Sequence, residues 1–209
     1  MTKLQALVLE RNLKGVYKSR FLPETVWSLF VIVHQTLTSF FSQNHSKSIH
    51  IWELISRLAC RKSAGRHVRH NAVNDLIKRA LASANVPAIL EPNSLFRDDD
   101  KRPDGLTVMP WANGRCMVWY FTCPDTLAAS HLNRAVVSPG AVANDAEDRK
   151  SSKYRSLAAC YSFKPVAVET PGALGEEASA IFQDLGRRIT AVTAEPRSFQ
   201  FLIQRLSVT

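Results

Sequence analysis

Lys101-Arg102-Pro103-Asp104-Gly105 leads into Leu106-Thr107-Val108-Met109. After Asn113-Gly114 the chain runs through Arg115-Cys116-Met117-Val118-Trp119-Tyr120-Phe121-Thr122-Cys123. The reading of this stretch decides the fold. Asp104 stands at the mouth of a strand over 106–109, and the proline before it fixes φ and stiffens the approach. Asn-Gly is a strong signal for a tight hairpin turn, because both central residues of such a turn need positive φ. The strand over 115–123 is apolar almost throughout, which fits a central strand covered on both faces.

Upstream, Val86–Glu91 reads as a short first strand and Asn71–Ala84 as a helix, with Val73, Ile77 and Leu81 on one face. Pro92–Arg102 is a polar connection. Downstream, 126–142 has no clear period and is broken by Pro139-Gly140. A helix is predicted over Asn144–Ala159 with Asn144 as its cap. A fourth strand follows over Phe163–Thr170, ended by Pro171-Gly172, then helices over Glu176–Ala191 and Phe199–Leu206. An early hairpin followed by a crossover helix predicts an α/β fold, a mixed sheet flanked by helices. Residues 1–57 read as a separate, mostly helical N-terminal segment. Leu4, Leu7 and Val8 suggest a short amphipathic helix, and Trp27, Phe30, Val31, His34, Leu37 and Phe41 recur at helical spacing. The main domain is expected over 58–209.

Lys and Arg number 27 against 18 acids, a formal charge of +9 that favours a polyanionic partner, nucleic acid being the commonest. The apolar run Val26–Phe41 contains His34, Gln35, Thr36, Thr38 and Ser39. It is too short and too polar for a membrane span of ~20 residues, so no membrane partner is expected. The cysteines Cys60, Cys116, Cys123 and Cys160 form no CxxC pair and read as reduced thiols of an intracellular protein. No Gly-rich phosphate loop is present.

Two acids at neighbouring strand ends with a lysine in reach are the minimal parts for divalent-ion cleavage of a phosphodiester. Asp104 is the first acid, and Glu91 at the end of the first strand adds a third oxygen ligand. The second acid belongs near the middle of the third strand, where Tyr120 stands. A phenol with a pKa of ~10 is a poor magnesium ligand at neutral pH. Asp125 lies too far along the chain to replace it without a bend. Lys150 and Lys153, three residues apart on the following helix, share one face beside Arg149 and Arg155. Cys60, His67 and His70 cluster without a fourth ligand, so a complete zinc site is not expected.

Taken together, Cys60-Arg61-Lys62, Arg69-His70-Asn71, Arg102-Pro103-Asp104, Val118-Trp119-Tyr120-Phe121-Thr122 and Lys153-Tyr154 carry a resemblance. From about Leu58 onward the chain resembles the C-terminal portion of eukaryotic non-LTR retrotransposon proteins, in which a restriction-like endonuclease domain follows the reverse transcriptase. The resemblance implies a restriction-endonuclease-like core of the PD-(D/E)xK type, in the order αβββαβ. It implies magnesium- or manganese-dependent nicking of DNA, whose 3′ hydroxyl primes reverse transcription. On that reading Asp104 is the first metal ligand, and Lys150 or Lys153 is the catalytic lysine displaced onto a helix. Arg69, His70 and Asn71 follow a zinc knuckle and touch DNA or brace the site, with Arg61, Lys62 and Arg66 on the same nucleic-acid-binding segment.

The departures set the expected function. Tyr120 replaces the second acid of the family's Asp-x-Thr element. The knuckle keeps only Cys60, so its zinc site is lost, and residues 1–57 stand where the family has its reverse transcriptase. The expectation is an impaired or inactive DNA endonuclease, nuclear where functional. The alternative is a non-catalytic binder of DNA or RNA, or a decayed fragment.

Overall fold

The computed structural model describes Val8 and residues 64–93 and 102–209 of the protein. Helix α1 (Ala64–Ser83) leads into the short strand β1 (Ala88–Leu90). Strands β2 (Gly105–Ala112) and β3 (Arg115–Thr122) form a hairpin. Asn113 and Gly114 at its tip take φ of 51° and 71°, as the Asn-Gly pair predicts. Helices α2 (Leu132–Ala135), α3 (Ala141–Lys153) and α4 (Arg155–Cys160) carry the chain to strand β4 (Ser162–Ala167). Helices α5 (Glu176–Thr193) and α6 (Ser198–Ser207) follow.

The strands lie in the order β1-β2-β3-β4. The β1–β2 and β2–β3 pairings are antiparallel and β3–β4 is parallel. A parallel pair needs a crossover connection, and α2, α3 and α4 lie within it. The protein is therefore α/β, with a mixed four-stranded sheet flanked by helices.

Strand β3 is buried from Met117 to Phe121. Alternation sends its side chains to two cores. Met117, Trp119 and Phe121 pack with Val73, Ile77 and Leu81 of α1, Phe182 and Leu185 of α5, and Leu202 of α6. Val118 and Tyr120 point the other way, into a cluster with Tyr154 and the half-buried Leu106, Leu157, Tyr161 and Phe163. The apolar run in the sequence reflects this two-sided cover.

Two carboxylates are built into the interior. Glu169, 0% exposed, accepts hydrogen bonds from the Val142 and Ala143 amides (3.0 and 3.2 Å) and the Thr126 hydroxyl (3.1 Å). Glu147, 3% exposed, accepts from the amides of Ala167 (3.1 Å), Glu177 (2.9 Å) and Ala178 (2.9 Å). First-turn amides of a helix have no partner within it. Here Glu169 serves the start of α3, and Glu147, on α3, serves the start of α5 while tying both to β4.

This arrangement corrects the expected helix at Asn144–Ala159. The helix starts at Ala141, directly after Gly140, because Glu169 supplies the acceptor from a distance. Asn144 lies inside it and caps α5 instead, its Oδ1 accepting from the Glu176 amide at 2.8 Å. The helix breaks at Tyr154 (φ −106°, ψ 24°), whose ring is buried, and α4 resumes beyond it. Strand β4 ends at Ala167, and Val168 forms an isolated bridge with Leu174.

Val8 is helical and fully buried, packed with Leu127, Ala135 and Val142. The aromatic pattern over 27–41 and the Ile51–Leu58 stripe lie outside the described residues. Among the described residues no helix is long and apolar enough to cross a membrane.

Burial pushes the Glu147 and Glu169 carboxyls above the ordinary 4.5, while the amides donating to them pull the other way. An acid with a higher pKa when folded binds its proton more tightly in the folded state. Its contribution to stability is therefore largest at low pH and falls as pH rises through the window above 4.5. Urea melts across that window are expected to show this decline, and a smaller slope in Glu147→Ala. That variant is also expected to lose about 3 kcal/mol, because three main-chain donors lose their acceptor. An unchanged slope and midpoint in Glu147→Ala would refute the assignment.

Candidate functional site

Asp104 sits where β2 begins and replaces one rung of the ladder to β3. Its amide donates to the Trp119 carbonyl (3.1 Å), and its Oδ2 accepts from the Phe121 amide (2.5 Å). A side-chain oxygen thus takes the place of a strand carbonyl. Its own carbonyl accepts from the Glu91 amide (3.0 Å). Gly105 follows because the Trp119 indole fills the space that a Cβ would occupy there. Pro103 is buried beside it.

The other oxygen, Oδ1, lies 3.3 Å from Nε2 of His70 on α1. His70 continues a chain of polar contacts into the core. Trp119 donates its indole N–H to Asn74 Oδ1 at 3.0 Å, and Asn74 Nδ2 lies 3.2 Å from His70 Nδ1. An indole can only donate, so it fixes which end of the Asn74 amide faces it. The NH2 end then faces Nδ1, which makes Nδ1 the acceptor and leaves the proton on Nε2, toward Asp104. The hydrogen bond that His70 donates to Asp104 raises the His70 pKa above 6.5, against burial and against the charge of Lys150. The side chain of Asn71 adds to that rise.

On the opposite face of β3, Tyr120 stacks on Tyr154 with centroids 4.2 Å apart and planes within 9°. Phe163 tilts against both rings. The Lys150 Nζ lies 4.9 Å from the Tyr120 centroid and the Lys153 Nζ 5.2 Å from that of Tyr154. Stacking of this kind is worth about 1 kcal/mol beyond the burial of the rings. Each cation–π contact adds on the order of 0.5–1 kcal/mol.

The sequence-derived residues therefore meet in part. Asp104 and His70 are bonded, and Glu91 adjoins Asp104 through its backbone, with its side chain exposed and φ at 46°. Lys150 overlies Tyr120, which lies between the two residues whose main chain holds Asp104. Lys153 stands over Tyr154. Arg69 is half-buried and donates to the Thr170 carbonyl at 3.4 Å, and Asn71 is exposed. Arg61 and Lys62, the side chain of Arg66, and Cys60 lie outside the described residues. Asp125 caps its own turn, accepting from the Leu127 amide at 3.0 Å. Asn74 and the indole of Trp119 were not anticipated. The one available signal was the four-residue spacing of His70 and Asn74 along a helix.

A divalent ion does not fit the donor set well. Both Asp104 oxygens already accept hydrogen bonds, and the Tyr120 phenol belongs to an aromatic cluster. Among the described residues no three His, Cys, Asp or Glu side chains converge as a metal site. No protein-family model matches the chain, and no curated protein sequence matches it.

The polar chain makes a prediction that can be read by NMR titration of the imidazole. Asp104→Asn is expected to lower the His70 pKa. Asn74→Asp is expected to raise it, because the new carboxylate keeps the Trp119 bond and turns the Nδ1 contact attractive. A His70 pKa unmoved by Asp104→Asn would show that the two side chains are not paired.

Proposed function

We propose that this chain is an endonuclease-like domain of the non-LTR retrotransposon kind that grips nucleic acid without cutting it. The reading is carried by one juxtaposition: Asp104, His70 and Lys150 gather around residues 119–121 of β3, with a phenol where the family pattern has its second acid. The element order around β1 to β4, with its mixed sheet and parallel β3–β4 pair, supports the restriction-endonuclease-like comparison.

The chemistry follows from the residues. Asp104 acts as a strand terminator and partner of His70, both oxygens in use. His70 has one ring nitrogen on Asp104 and the other on Asn74, so it is not placed to take a proton from a water. Lys150 and Lys153 offer positive charge to a phosphate but supply no base. A group of this composition binds a phosphodiester and leaves it intact. The +9 charge supplies the attraction, and a protein of this kind would meet its DNA in the nucleus.

Supercoiled plasmid with Mg²⁺ or Mn²⁺, beside gel retardation over a salt series, tests the reading. The wild-type protein is expected to retard DNA, with affinity falling steeply as salt rises, and to leave the plasmid uncut. Tyr120→Asp, verified as folded by thermal melting, is expected to gain metal-dependent nicking that Asp104→Ala removes. Nicking by wild type that Asp104→Ala abolishes would establish an active enzyme instead. Absence of retardation at low salt would overturn the proposal altogether.

A further inference from the structure

We infer that the crossover from β3 to α3 is completed by the N-terminal segment of the same chain. The Val8 side chain plugs the apolar inner side of residues 126–142, and this stretch keeps its shape only with the plug in place. By itself the stretch has little to hold it. Helix α2 is four residues long, and His131 at its N-cap makes no side-chain capping bond. A helix of one turn does not persist on its own. Yet Ala135 within it is 0% exposed, as is Val142 in the first turn of α3, and Leu127 is buried. Their apolar contact is completed by Val8, itself helical and 0% exposed, with Leu132 and Val136 half-buried at the edge of the cluster.

Two fastenings act on this stretch. At its base one carboxylate takes both ends, since Glu169 accepts from the Thr126 hydroxyl and from the Val142 and Ala143 amides. That closes an arch and leaves its inside to be filled. Compact loops whose ends lie close together are held by side chains packed within them. Here Leu127, Leu132 and Ala135 supply part of the filling, and Val8 supplies the rest from the other end of the sequence.

The N-terminal sequence suits this seat. Leu4, Leu7 and Val8 stand at i, i+3 and i+4, the spacing of one helical face. Residues 9–63 separate Val8 from α1. A chain of that length, at roughly 3.3–3.6 Å per residue when extended, reaches across a domain with ease. The segment can therefore serve its own crossover without help from a second copy.

A double-mutant cycle in the full chain tests the plug. It pairs Val8→Ala with Val142→Ala and, for comparison, with Val73→Ala in the core beneath α1. Val8→Ala alone is expected to lower the folded-to-unfolded ratio on the order of tenfold, from lost burial. Val8→Ala/Val142→Ala is expected to lose less than the sum of the two single changes, and Val8→Ala/Val73→Ala to lose the sum. Should Val142→Ala fail to fold, Leu132→Ala replaces it in the cycle. Hydrogen exchange supplies the local readout. The Ala135 and Val136 amides, bonded to the His131 and Leu132 carbonyls, are expected to exchange on the order of tenfold faster in Val8→Ala, relative to the amides of β3. Strict additivity of Val8 with Val142, or exchange in α2 unchanged by Val8→Ala, would overturn the inference. The urea midpoint is expected to be independent of protein concentration. A midpoint that rises with concentration, with dimers in sedimentation, would assign the plug to a second copy and overturn the same-chain seat.

Discussion

Strand β3 is covered on both faces, and every polar group along it must be met from inside the protein. Its ladders to β2 and β4 satisfy most of them. Beside the mouth of β2 the ladder runs out, and the Asp104 carboxylate takes the Phe121 amide. That one contact fixes much else. It holds Asp104 in the plane of the sheet and presents the other oxygen to His70. Through Asn74 it connects the sheet to the buried indole of Trp119. An unsatisfied amide in such a strand costs on the order of 1–3 kcal/mol, so a carboxylate in this position is a structural requirement as much as a chemical opportunity.

The same logic governs the other buried acids. Glu147 and Glu169 each accept from main-chain amides at the start of a helix that belongs to a different part of the chain. Helix α3 is held by Glu169, two residues after β4, and in turn holds α5. Three carboxylates thus serve as acceptors for backbone donors. Acids in a cleft invite a catalytic interpretation, yet here their oxygens are occupied by the fold. Burial raises the pKa of both glutamates, and donated hydrogen bonds oppose that rise.

Local signals were legible in the sequence, and distant ones were not. Pro103 before Asp104, the Asn-Gly turn and the unbroken apolar run of β3 each act within a few residues, and all three appear where they were read. The start of α3 was misread because Pro139-Gly140 looks like a breaker and Asn144 like a cap. The acceptor that starts the helix, Glu169, lies 27 residues from Val142. In the sequence, Glu147 stands in a run of charged residues that reads as a wet surface, and only the approach of α5 makes it interior. His70 and Asp104 were each singled out, but no pattern in the chain announces their pairing, because the two lie on separate elements far apart along the chain. The bond between Trp119 and Asn74 spans 45 residues and is hidden for the same reason.

Alternation along β3 explains how a phenol can occupy the middle of such a strand. Residue 120 points away from α1, toward α3 and α4, and a ring there finds Tyr154 and Phe163. The rings of Tyr120, Tyr154 and Phe163 bury apolar surface against one another on this face of the sheet. The Lys150 Nζ lies 4.9 Å from the centroid of the Tyr120 ring, a cation–π contact from α3 onto the sheet. At the break between α3 and α4 the Tyr154 ring stacks on Tyr120, and Arg155 just beyond it is exposed. Strand β3 is thereby tied to the α3–α4 connection by aromatic packing on one face and to α1 by the polar chain through His70 and Asn74 on the other.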